Sequence, residues 1–157
     1  MSSGRFDVVQ TYYNLLNPSA GEEAARGFGG QDFGKVIEAA ARQRMGVAVI
    51  RVMAGGALGG PEARSGYASA SVGGALADGG DYDRDEERAG KLSFLASTGP
   101  GGLPEAAIRF ALMDQRVSTV MVGFSNREQI DMAAACSGAG PIPATLMDRV
   151  REVWAKG

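Results

Sequence analysis

Apolar and polar positions along the chain predict an alternating order of strands and helices. The first patterned segment, Phe6-Asp7-Val8-Val9-Gln10-Thr11-Tyr12-Tyr13, is rich in β-branched and aromatic residues. The turn-former Asn17-Pro18-Ser19 closes it, so it reads as a strand. Over 32–45, Phe33, Val36, Ile37, Ala40 and Ala41 recur at helical spacing. Glu38 and Arg42 lie four apart on the other side, which predicts an amphipathic helix ended by Gly46. Val47-Ala48-Val49-Ile50-Arg51-Val52 follows as a nearly continuous apolar strand, the pattern of a strand covered on both faces of a parallel sheet.

The stretch 55–80 holds nine of the 24 glycines and has no periodicity, so it reads as a long loop of the kind that forms lids or binding segments. Helices are predicted over 84–96 and 103–114, separated by Gly-Pro-Gly-Gly. The second has Pro104 in its first turn and Leu103, Ala107, Phe110 and Ala111 facing inward. A third strand covers 118–122. The spacing Ser125-x-x-Glu128 matches a capping box that opens a helix to about Ala135. A last helix over 144–155 places Leu146, Val150 and Val153 on one side, with Trp154 beside them. Such alternation implies right-handed crossovers and a parallel sheet. Three strands alone leave two open sheet edges, so the sequence has the look of a piece of something larger.

Composition narrows the chemistry. In 157 residues the charge is −2, with 45% hydrophobic and 22% charged residues, as in an ordinary soluble domain. No basic block marks nucleic acid or an anionic membrane as a partner, and no apolar run approaches the ~20 residues of a membrane span. There is no histidine, which excludes catalytic triads built on imidazole and any His metal site. The single Cys136 excludes an intrachain disulfide and any Cys cluster for a metal, and it suggests a reducing compartment, the cytoplasm.

One turn invites a ligand on physical grounds alone. Gly123-Phe124-Ser125-Asn126-Arg127 runs from the end of a strand into a helix N-terminus, where free N–H groups and the positive dipole end favour an anion. Ser125 adds a hydroxyl and Arg127 a cation; Ser125 equally suits a helix cap, and both roles are compatible.

Three segments together resemble one known family. FDVVQTYYNLLNPSA resembles the aldo/keto reductase strand that ends in Gln and precedes Tyr-Asn-Leu-Leu. MGVAVIRVMAGGALGG resembles the next strand and its Gly-rich turn, and LPEAAIRFALMDQRVSTVMVGFSNREQIDMAAA the helix, last strand and cofactor helix that close the barrel. The resemblance implies an α/β fold, a partial (β/α)8 TIM barrel comprising the last three strand–helix units, strands six to eight, in which sites lie at the carboxyl ends of the strands. It implies NADP(H) as cofactor and a small-molecule carbonyl substrate.

By the same resemblance Gln10 matches the glutamine that holds the nicotinamide carboxamide, although a polar residue filling a barrel layer reads the same way. Ile50 stands where an aromatic ring often stacks on the nicotinamide. Arg51, with Met53 in the same turn, is placed to reach the pyrophosphate or to end the strand as a surface arginine. Gly123, Phe124, Ser125 and Arg127 form the expected site of the 2′-phosphate, Gln129 lies toward the adenosine, and Ala133 replaces an adenine-binding Asn. The family's Asp, Tyr, Lys and His tetrad has no counterpart here; Tyr12, Tyr13, Lys35 and Asp7 match other positions. The resulting expectation is a fragment of an NADPH-dependent reductase. The alternatives are a non-catalytic nucleotide-binding half-barrel or a subunit completed by another chain, with a missing barrel half or self-association as the partner.

Overall fold

The computed structural model describes residues 4–59 and 82–156. Three parallel strands, β1 (Val8–Tyr12), β2 (Gly46–Ile50) and β3 (Thr119–Val120), form one sheet in the order β1-β2-β3. Val8 pairs with Gly46 and Tyr12 with Ile50, while Ala48 pairs with Thr119 and Val49 with Val120. Among the described residues five helices accompany them: α1 (Val36–Arg42), α2 (Tyr82–Gly90), α3 (Gly102–Met113), α4 (Arg127–Cys136) and α5 (Ala144–Lys156). Short 3-10 segments occupy Ala54–Gly59 and Ser93–Thr98. No described helix is long and apolar enough to cross a membrane.

The period of two along a strand sends alternate side chains to opposite faces of the sheet. Val47 and Val49 are 0% exposed and Thr11 is also buried, on the face covered by α1 and α3. The opposite face carries Val8 and Met121, 59% and 54% exposed, with Gln10 exposed between them. This corrects the reading of β2 as uniformly sandwiched. Its valines belong to the helix side, where the core is, and only the small residues Gly46 and Ala48, followed by Ile50, face the open side.

The core behind the sheet joins the helices through aromatic packing. Tyr13 and Phe110 rings lie 4.8 Å apart and Phe110 meets Trp154 edge-on at 5.9 Å. Trp154 Nε1 donates to Leu15 O at 2.7 Å, which satisfies its polar tip where the indole packs inward. Burial, followed by the nearby carboxylates of Asp114 and Glu22, pushes the Tyr13 phenol well above its ordinary value, so it stays neutral.

A buried ion pair fixes the helix ends. Arg109 donates to Glu105 at 3.0 Å and to the carbonyls of Thr98, Gly140 and Pro141, while Glu105 accepts from Gly101 N at 2.9 Å. A Cβ at Gly99 would lie 2.0 Å from Glu105 Oε1, so the Gly-Pro-Gly-Gly break is where the carboxylate comes to rest. At the amino end of β3, burial opposes the charged form of Asp114. The hydrogen bonds from Arg116 outweigh it and hold the carboxyl below the ordinary range.

Local differences from the sequence expectation have local causes. Gly34 and Lys35 adopt φ of 57° and 52°, so 32–35 forms a turn and α1 starts at Val36. Arg44, at φ 55°, closes that helix, and Gly46 begins β2 by donating to Asp7 O. The helix expected over 84–96 stops at Gly90 and continues as the Ser93–Thr98 segment. Of the expected loop over 55–80, Ala57 and Leu58 are buried in a 3-10 turn, and 60–80 lies outside the described residues.

Candidate functional site

The carboxyl ends of β2 and β3 release two turns side by side, since Met121 N still donates to Val49 O at 2.8 Å just before both strands end. The two turns are built in opposite ways.

The turn after β2 is pinned. Arg51 sits at φ 58° and Ala54 at φ 47°, two non-glycine residues in the left-handed region, followed by Gly55 at 70° and Gly56 at 113°. Arg51 O accepts from Ala54 N at 2.8 Å and from Asn14 Nδ2 at 2.9 Å. Met53 O accepts from Gly56 N and Leu58 N, and its side chain, half-buried, packs on the core. The Arg51 guanidinium lies 5.9 Å from the centre of the Tyr12 ring. Arg51 is thus half-buried at a strand end and not a freely exposed arginine.

Asn14 is the residue that sequence reasoning missed. It is 5% exposed, and its Oδ1 accepts from Leu16 N at 2.9 Å and Asn17 N at 2.8 Å while its Nδ2 reaches across to Arg51 O. One side chain therefore closes the turn after β1 and anchors the turn after β2. The signal for the first role was available, because Asn just beyond a strand bonds the backbone two residues on.

The turn after β3 is open. Gly123, Phe124, Ser125 and Arg127 are all exposed, Phe124 at 45%. The helix cap differs from the expected one: Asn126, not Ser125, is the N-cap, with its Oδ1 accepting from Gln129 N at 2.9 Å. Gln129 Oε1 then accepts from Ser125 N at 2.8 Å, so the reciprocal box is shifted by one residue. This commits the Gln129 amide oxygen to the turn. It frees the Ser125 hydroxyl, which has no hydrogen-bond partner among the described residues. The first-turn N–H groups of Arg127 and Glu128 are also open among the described residues. The Arg127 side chain, 87% exposed, makes only a 3.5 Å contact with Asp131. A helix start with open N–H groups, a free hydroxyl and a loosely held guanidinium suits a phosphate.

Gln10 stands on the open face of β1, paired in register with Ala48, two residues before its strand ends. Ala133 is half-buried on α4 and packs against the core. Cys136 is buried, and burial, followed by the nearby Glu105, pushes its thiol up and favours the neutral form. No cluster of metal-ligating side chains occurs among the described residues.

Comparison with known proteins agrees with this architecture. No curated relative matches the chain. Among the solved structures that match is an aldo-keto reductase from Bacillus halodurans in its holo form, 18% identical, with a TM-score of 0.61; the alignment covers 95% of this chain and 43% of that one. The chain thus spans less than half the length of that solved relative. The profile of the aldo/keto reductase family matches residues 4–155, and the chain belongs to the aldo/keto reductase family.

Proposed function

We propose that this chain is the cofactor-holding portion, strands six to eight, of an NADPH-dependent carbonyl reductase whose barrel is completed by strands lying outside it. The observation that carries the reading is the sheet itself. Its helix-covered face is finished, while among the described residues nothing covers the face bearing Val8, Gln10 and Met121 or pairs with the outer edges of β1 and β3. A barrel interior is lined by side chains from all its strands, so this face needs the remainder of a barrel to cover it.

Within that barrel, Gln10 offers the carboxamide of the nicotinamide both a donor and an acceptor. Arg51, seated on Tyr12 by the strained turn, would reach toward the pyrophosphate. Met53 holds that turn to the core, and the Gly123-Phe124-Ser125 backbone, the Ser125 hydroxyl and Arg127, all exposed, would hold the 2′-phosphate. Gln129 fixes the shape of the turn. When bound, NADPH would supply the hydride for a carbonyl carbon. Proton donation to the carbonyl oxygen falls to a tetrad that this chain does not carry, since its 157 residues include no histidine.

The experiment is NADPH oxidation by the isolated chain against a panel of simple aldehydes and ketones. The expected outcome is no turnover above background, and sustained turnover contradicts the assignment. The open edges favour one further reading, a subunit completed by another chain or by self-association. Light scattering at micromolar concentration is expected to show associated species, and a monodisperse monomer counts against self-association.

A further inference from the structure

Away from the open sheet face, a cleft of about 550 Å³ lies between the long connection from β1 to α1, the helix α2 and the end of α5. We propose that it binds a small phosphate ester with an apolar body, at a site separate from the turn after β3.

The first argument is that one wall of the cleft is a built feature. The connection over 13–35 is far longer than the ~2–6 residues usual between a strand and its helix. A buried polar network nevertheless closes its base. Asn17 Oδ1 accepts from Ser19 Oγ at 2.7 Å, Ser19 Oγ accepts from Phe33 N at 3.0 Å, and Asn17 Nδ2 donates to Gln31 O at 3.0 Å. Lys35 N donates to Ser19 O at 2.9 Å. The loop is therefore held at its neck before any ligand arrives, which lowers the ordering cost of binding.

Charge supplies the second argument. Two of the basic side chains on the cleft are already committed: Arg88 donates to Leu16 O at 2.6 Å and pairs with Asp85, and Arg151 pairs with Glu22 and Asp148. Arg26 and Arg84 line the same cleft and have no partner among the described residues. Arg84 lies against Gly29, where an added Cβ would come within 3.2 Å of its terminal nitrogen; the missing side chain leaves room for the guanidinium. Two uncommitted guanidinium groups at one cleft match a dianionic phosphate. The half-buried Phe28 and Trp154 on its lining offer the apolar surface for the organic part.

Trp154 is the only tryptophan and lines this cleft, so a ligand seated there changes its emission. The probe is phenyl phosphate, titrated into the 157-residue chain, with inorganic phosphate and benzyl alcohol as the two halves tested apart. The expected result is a saturable change in emission with phenyl phosphate, at least tenfold weaker binding of inorganic phosphate, and no saturable response to benzyl alcohol. Arg84→Ala, an exposed change that removes no described contact, weakens phenyl phosphate at least tenfold. Arg26→Ala weakens it severalfold, and Arg127→Ala leaves it unchanged. The absence of a saturable response, or unaltered titration in both Arg26→Ala and Arg84→Ala, overturns the proposal. Equal binding of inorganic phosphate removes the apolar half of the claim. Weakening by Arg127→Ala alone returns the phosphate to the turn after β3.

Discussion

The turns after β2 and β3 leave the same end of the same sheet, yet one is committed to structure and the other is free. After β2, backbone groups close on one another, left-handed residues are held in place, and Asn14 ties the turn to its neighbour. After β3, only the N-cap bond of Asn126 and the Gln129 bond to Ser125 shape the chain, and the side chains point to solvent. A site needs both kinds of turn: a rigid one to position and an open one whose donors have no other partner. Strain at Arg51 and Ala54 persists because the surrounding bonds overdetermine it.

The contrast breaks most visibly at Asn14. Asn14→Ala leaves two backbone N–H groups and the Arg51 carbonyl without that partner. It is expected to cost about 2–4 kcal/mol, read as a lower denaturation midpoint at unchanged slope. An effect below about 0.5 kcal/mol would mean that the turn after β2 is not pinned through this residue.

Next comes Asn126→Ala, which removes one cap and is expected to cost about 1 kcal/mol by the same measurement. Ser125→Ala is the internal control. Its backbone N–H keeps the Gln129 bond, so stability should move by less than about 0.5 kcal/mol. Equal losses from the two substitutions would restore Ser125 as the cap. The smallest change in stability is expected from Arg127→Ala, within about 0.5 kcal/mol, because its contact with Asp131 is exposed and long.

Much of this was legible in the residues. Element order and the parallel sheet followed from periodicity, and the helix-forming segments from their apolar spacing. The faces of β2 were not, because Val47-Ala48-Val49-Ile50 is apolar throughout and carries no alternation to read. The cap register was ambiguous for a physical reason: Ser125 with Glu128 and Asn126 with Gln129 have the same spacing, and each pair is competent. Only the folded turn, where Gln129 reaches back to the Ser125 N–H, distinguishes them. The Asn14 contact with Arg51 spans 37 positions and depends on β1 and β2 lying in register, which no local pattern encodes.

Paired titrations of NADPH and NADH, in a complete barrel containing this chain, test the proposal that the open turn holds the 2′-phosphate. If it does so, Arg127→Ala removes one charge-assisted contact that only NADPH would make. NADPH affinity should therefore fall by about 1.5–3 kcal/mol, roughly ten- to a hundredfold. NADH, which lacks that phosphate, should bind as before. Equal weakening of both cofactors, or of neither, contradicts the claim and reduces Arg127 to a surface arginine.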